Sequence, residues 1–104
     1  MALSQDTVKR NQQAGAYLKE ARLNVGLTQA DLAILLGLKH YTLITQLEKG
    51  AVTVPVGLWI PLAEALKLNT KMFALLMLRW TKSDVYLALF GTETPEAILK
   101  RLES

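Results

Sequence analysis

The sequence predicts an all-α domain of five or more short helices around one core. Three observations carry this. Apolar side chains recur at helical spacing, first at Tyr17, Leu18, Ala21 and Val25. Cap residues and glycines punctuate the chain at helix-length intervals. No alternating or β-branched run is long enough to compete as a strand, the short extended stretch at 51–54 being the nearest.

The elements follow in order. Residues 1–13 are polar and read as an N-terminal segment ahead of the first helix, which spans Ala14 to Val25 and stops at Gly26. Thr28 opens the second helix. Its hydroxyl can accept a first-turn amide, and Asp31 stands three positions on, a shorter version of the usual Glu. Leu32, Ala33, Leu35 and Leu36 form the expected buried stripe, and Gly37 ends the helix. A third helix runs from about His40 to Lys49 and ends at Gly50. Pro55 then favours an extended Val54.

A fourth helix fits Val56 to Lys67, with Leu58, Trp59, Leu62, Ala63 and Leu66 on its inner side. Pro61 is tolerable there only near the first turn or as a kink. Asn69 or Thr70 caps a fifth helix through Trp80. Ser83 caps a sixth, which ends at Gly91. Thr94-Pro95 reads as cap plus first helical position of a last helix to Leu102. The expected organisation is a polar segment at 1–13, a domain at 14–68 and C-terminal helices at 69–104.

Composition narrows the function classes. The chain has 104 residues, enough for one compact domain. Hydrophobic residues make up 51% and charged residues 20%, so some apolar surface is left over unless a partner covers it. A net charge of +3 is compatible with a polyanion but does not demand one. The absence of cysteine excludes disulfides, thiolate metal sites and thiol catalysis. With a single histidine and scattered carboxylates, no catalytic or metal-binding set is expected, and no cofactor. The opening residues lack the blocks of a signal peptide, and the longest apolar run, Met72 to Leu78, is far short of a membrane span. A cytoplasmic protein with no membrane partner is expected.

One constellation carries more. Thr28-Gln29-Ala30-Asp31-Leu32-Ala33 followed by Gly37 has the makings of two short helices crossing at a small residue around a Gly-containing turn, a helix-turn-helix unit. In the ordinary spacing the second helix would bury Leu43 and Gln46. An unpartnered buried Gln46 would cost about 1–3 kcal/mol. Sliding by one residue buries Ile44 and Leu47 instead, which implies one extra residue in the turn within Leu38-Lys39-His40. The outer face then holds His40, Tyr41, Thr42, Thr45, Gln46 and Lys49. Such side chains suit base edges and phosphates of a major groove. Leu43 either packs on the neighbouring helix or meets a thymine methyl.

The set Leu18-Lys19-Glu20-Ala21-Arg22, Gly26-Leu27-Thr28-Gln29-Ala30-Asp31-Leu32-Ala33, Leu36-Gly37 and Ile44-Thr45-Gln46-Leu47-Glu48-Lys49-Gly50 resembles the Cro/phage-repressor type of helix-turn-helix, the XRE family, over residues 14–68. The longer turn, Lys39-His40-Tyr41-Thr42, departs from the common pattern and is similar to that of a bacterial subgroup. The resemblance implies a lambda-repressor-like domain of about five helices with a C-terminal helical extension. It implies that Gln29 bonds a DNA phosphate and braces the recognition helix, and that Arg22 and Glu48 form a structural ion pair. Lys39 and Lys49 are expected to neutralise phosphates. His40 is either a DNA contact or a solvated turn histidine, and Tyr41 either packs on the turn or meets a phosphate.

The apolar run at 72–78 leaves two readings. Either it serves a second chain, through Met72, Phe73, Leu76, Met77 and Trp80, or the last two helices wrap back over it. The functional expectation is a homodimeric repressor on a palindromic double-stranded operator. The alternative is an antitoxin or other protein-interaction module that keeps the fold and takes a protein partner.

Overall fold

The computed structural model describes residues 4–104; residues 1–3 of the expected N-terminal segment lie outside the described residues. Seven α-helices and one 3-10 turn follow one another among the described residues, with no strand.

Helix α1 (Gln5–Asn24) is much longer than its apolar pattern suggests. Ser4 caps it by accepting from the Thr7 amide at 3.1 Å. Its buried residues are Asn11, Ala14, Gly15, Leu18, Ala21 and Arg22. These positions make a helical stripe, but one that mixes polar, small and charged residues, so hydrophobicity alone does not reveal it. Helix α2 (Gln29–Leu35) opens with both hydrogen bonds of a capping box. Thr28 Oγ1 accepts from the Asp31 amide, and Asp31 accepts from the Thr28 amide, each at 3.0 Å. The shorter Asp closes the box as Glu would.

Leu32 and Ala33 are buried as expected, and Leu36 is half-buried, but Leu35 is 59% exposed. At about 100° per residue the buried arc centres between Leu32 and Ala33. Leu36 falls within that arc and Leu35 falls on its flank.

Helix α3 (Thr42–Lys49) starts two residues later than expected, so His40 and Tyr41 belong to the turn. Ile44 and Leu47 are each 1% exposed and Gln46 points to solvent, which is the slipped register. Pro55 and the 3-10 turn Val56–Leu58 lead into α4 (Trp59–Ala65). Pro61 sits in the first turn of α4, where its missing N–H has no intrahelical partner to lose. Leu62, Ala63 and Leu66 are buried, while Leu58 and Trp59 are half-buried. The Trp59 indole N–H reaches the Val54 carbonyl at 3.5 Å.

Asn69 caps α5 (Thr70–Thr81) by accepting from the Met72 amide at 2.9 Å. Lys82 precedes α6 (Ser83–Phe90), so Ser83 is its first residue and not its cap. Thr94 caps α7 (Pro95–Leu102), with Pro95 at the first position.

Two apolar clusters result. The main one joins α1 to α5 through Leu18, Leu32, Ile44, Leu47, Leu62, Leu66, Phe73 and Met77. The smaller one joins Leu75 of α5 to Tyr86 and Ile98 of α6 and α7. Helix α5 is therefore enclosed from two sides by its own chain. Phe73 and Met77 are both fully buried in the protomer, and a side chain without surface has nothing to offer a second copy. Of the five residues expected at a dimer contact, Met72, Leu76 and Trp80 keep partial exposure, and Trp80 packs on Tyr17 in a tilted arrangement with ring centroids 5.6 Å apart.

Candidate nucleic-acid interface

The site is built on how α3 is held. Helix α1 crosses the C-terminal end of α3 at Gly15. A Cβ there would stand 2.3 Å from the Leu47 carbonyl oxygen and 2.6 Å from that of Glu48, so only glycine permits the crossing. Between α2 and α3, Gly37 at φ +73° turns the chain, and the Leu38 amide closes the helix end on the Ala33 carbonyl at 2.8 Å.

A buried polar network locks the assembly. Arg22 of α1 donates to Glu48 of α3 twice, from Nε to Oε2 at 2.7 Å and from NH2 to Oε1 at 3.0 Å. Its NH1 donates to the Leu27 carbonyl at 2.8 Å, just ahead of α2. Gln29 of α2 donates from Nε2 to Glu48 Oε1 at 3.0 Å and accepts from Thr45 Oγ1 at 2.7 Å. Three helices thus share one carboxylate. Both partners of the ion pair are nearly enclosed, at 8% and 4% side-chain exposure, and each is satisfied by further hydrogen bonds. The bond to Glu48 raises the Arg22 pKa above its ordinary value, against a smaller opposing effect of burial.

The network directs the remaining side chains outward. Thr42, Gln46 and Lys49, spaced for one face of a helix, are exposed on α3. Thr45 is half-buried beside them, and its hydroxyl proton is committed to Gln29. Lys39, His40 and Tyr41 are exposed in the turn just before α3. Leu43 is half-buried and packs against the main core. Along 39–49 the only carboxylate, Glu48, is turned inward, so the exposed face carries Lys39 and Lys49 with no acid of its own.

A family model described as a helix-turn-helix domain matches residues 13–76, more than half of the chain. The chain belongs to the helix-turn-helix domain family. The matched span takes in the crossing of α1 over α3, the α2–turn–α3 unit and most of α5. The helix-turn-helix domain is a DNA-binding module, with α3 in the position of the helix that meets the groove. No curated protein matches the chain. No helix among the described residues is long and apolar enough to cross a membrane.

Two contributors to the helix-turn-helix geometry escaped sequence reasoning. Gly15 is one. A mid-helix glycine costs about 1 kcal/mol relative to Ala, so its presence was the available signal of a close approach. Asn11 is the other. It is buried and donates from Nδ2 to Thr53 Oγ1 at 3.1 Å, tying α1 to the segment after α3. Within a polar stretch it carries no signal that separates it from surface residues.

Proposed function

We propose that this chain is a sequence-specific double-stranded DNA-binding transcriptional regulator, acting as a homodimeric repressor that excludes polymerase from a palindromic operator. The observation that carries the reading is the rigidly braced α3, whose one acid faces inward while Thr42, Gln46 and Lys49 face out. In this reading α3 enters the major groove. Gln46 bonds adenine through its amide, Thr42 contacts a base edge, and Thr45 offers its methyl to a thymine, since its proton is held by Gln29. Lys39 and Lys49 neutralise phosphates, with His40 and Tyr41 beside them. Gln29 keeps one N–H after bonding Glu48, enough for a phosphate.

A second copy has to be held by side chains that have surface. Val85 and Leu89, four residues apart on α6, are exposed and supply it within the C-terminal segment. Two copies would place their α3 helices about one DNA turn, ~10 bp, apart.

Selection from a random duplex library followed by gel shift tests the reading. A preferred inverted repeat is expected, with affinity falling steeply as salt rises. Gln46→Ala should lose about 1–3 kcal/mol of discrimination at one base pair per half-site. Lys49→Ala should weaken all sequences alike and lower the salt slope by about 1. Binding that is indifferent to sequence and salt would end the proposal. Sedimentation equilibrium of Leu89→Glu against the unaltered chain tests the homodimer.

A further inference from the structure

We propose that the cleft between α1 and the α5–α6 corner is a binding site for a small carboxylate with a flat apolar body. The cleft has a volume of about 670 Å³ and is lined by Arg10 and Gln13 of α1, Arg79 and Trp80 of α5, and Asp84 and Leu87 of α6, among others. That volume suits a drug-sized or smaller molecule.

Charge decides the class of ligand. Among the described residues the ion-paired arginines are Arg22 and Arg101, so Arg10 and Arg79 stand in the cleft without a carboxylate partner. Among the described residues Arg10 makes a single long bond, to Thr7 Oγ1 at 3.4 Å. Two carboxylates also line the cleft. Glu93 is already engaged by Arg101 at 3.0 Å, and Asp84 remains. Two guanidinium groups against one unengaged acid favour a ligand with one negative charge. Guanidinium groups from two different helices suit the planar, two-oxygen geometry of a carboxylate.

Shape and polarity decide the rest. Trp80 is half-buried with Tyr17 against it, which fixes the indole as a wall. Of the two indole N–H groups, among the described residues only that of Trp59 has a protein acceptor, which leaves the Trp80 N–H without one. The opposite end is held still by Tyr86, whose hydroxyl donates to the Glu93 carbonyl. Two arginines and an indole therefore line one concavity, with Leu87 adding to its apolar part. This site lies outside the α2–turn–α3 unit and does not depend on the proposed DNA binding.

The test is an NMR titration of the full chain with sodium benzoate and, in parallel, with benzamide, which has the same shape without the charge. The Trp80 indole N–H resonance, assigned with Trp80→Phe, is the reporter. Benzoate is expected to shift it saturably, with benzamide weaker by about tenfold, the worth of one charged hydrogen-bond set. Arg79→Gln and Arg10→Gln should each weaken benzoate by about tenfold while keeping a dispersed, folded spectrum. Two arginines on separate helices keep the test alive if one variant unfolds. Equal binding of benzamide, or benzoate binding unchanged by a folded arginine variant, overturns the proposal. So does a short DNA duplex that shifts Trp80 and loses affinity in Arg79→Gln, because the arginines would then serve the DNA backbone.

Discussion

At the scale of single residues, one contact sets how α3 is presented and another how α2 begins. Gly15 exists because the Leu47 and Glu48 carbonyls occupy the place of its missing Cβ. Gly15→Ala would gain helix propensity in isolation but overfill the crossing. We expect a net loss of about 1–3 kcal/mol, read from the shift of the urea unfolding midpoint. A stabilised variant would mean that α1 can lift off α3 freely. Asp31 makes a pH-dependent contribution. Its bond with the Thr28 amide, and then the Thr28 hydroxyl, lower its pKa from the ordinary Asp value. A lowered folded-state pKa means stability that is complete above about pH 4 and lost as pH falls through the folded value. Thermal melts of Asp31→Asn against the unaltered chain should differ at neutral pH and converge in acid.

At the scale of elements, helix ends explain themselves by one recurring device. A 6→1 bond closes α1, α2, α3 and α4, from the amides of Leu27, Leu38, Ala51 and Leu68 to Arg22, Ala33, Gln46 and Ala63. The device needs a left-handed residue one position earlier. At the end of α4 that residue is Lys67, at φ +57°, where the other three ends have glycine. An L side chain in that region costs about 1 kcal/mol or more. Lys67→Gly should therefore raise stability by up to about 1 kcal/mol, seen as a higher thermal midpoint. A lower midpoint would show that the lysine side chain makes a compensating contact.

The elements also show where sequence reading runs short. The caps at Thr28 and Thr94 were legible, and Asn69 as one of two candidates with Thr70, because a cap involves a few adjacent residues. The register of α3 was legible because burying Gln46 would be costly and burying Ile44 and Leu47 would not. The first half of α1 was not legible. Its inward groups include Asn11 and Gly15, and what they meet lies more than thirty residues away at Thr53, Leu47 and Glu48.

At the scale of the whole molecule, α5 is the shared wall. One side sends Phe73 and Met77 into the main core, and another sends Leu75 toward Tyr86 and Ile98. An apolar run on all sides therefore reflects two intramolecular partners. Phe73→Ala should cost about 3–5 kcal/mol, a large share of a small domain's total stability. Because the contact is internal, the loss should be the same in dilute and concentrated protein. A loss that appears only in concentrated samples would place Phe73 at a contact between copies.

By itself the sequence determined the all-α class, most helix ends and the inward pair of α3. Each depends on capping or periodicity, which act within one or two turns of chain. Only the tertiary structure decided that Leu35 faces solvent, that α1 reaches back to Gln5, and that α6 and α7 close over the run at 72–78. Which side of a helix is buried, and by what, is settled by packing against segments distant in the chain. A periodic pattern records that a face is apolar but not which partner covers it.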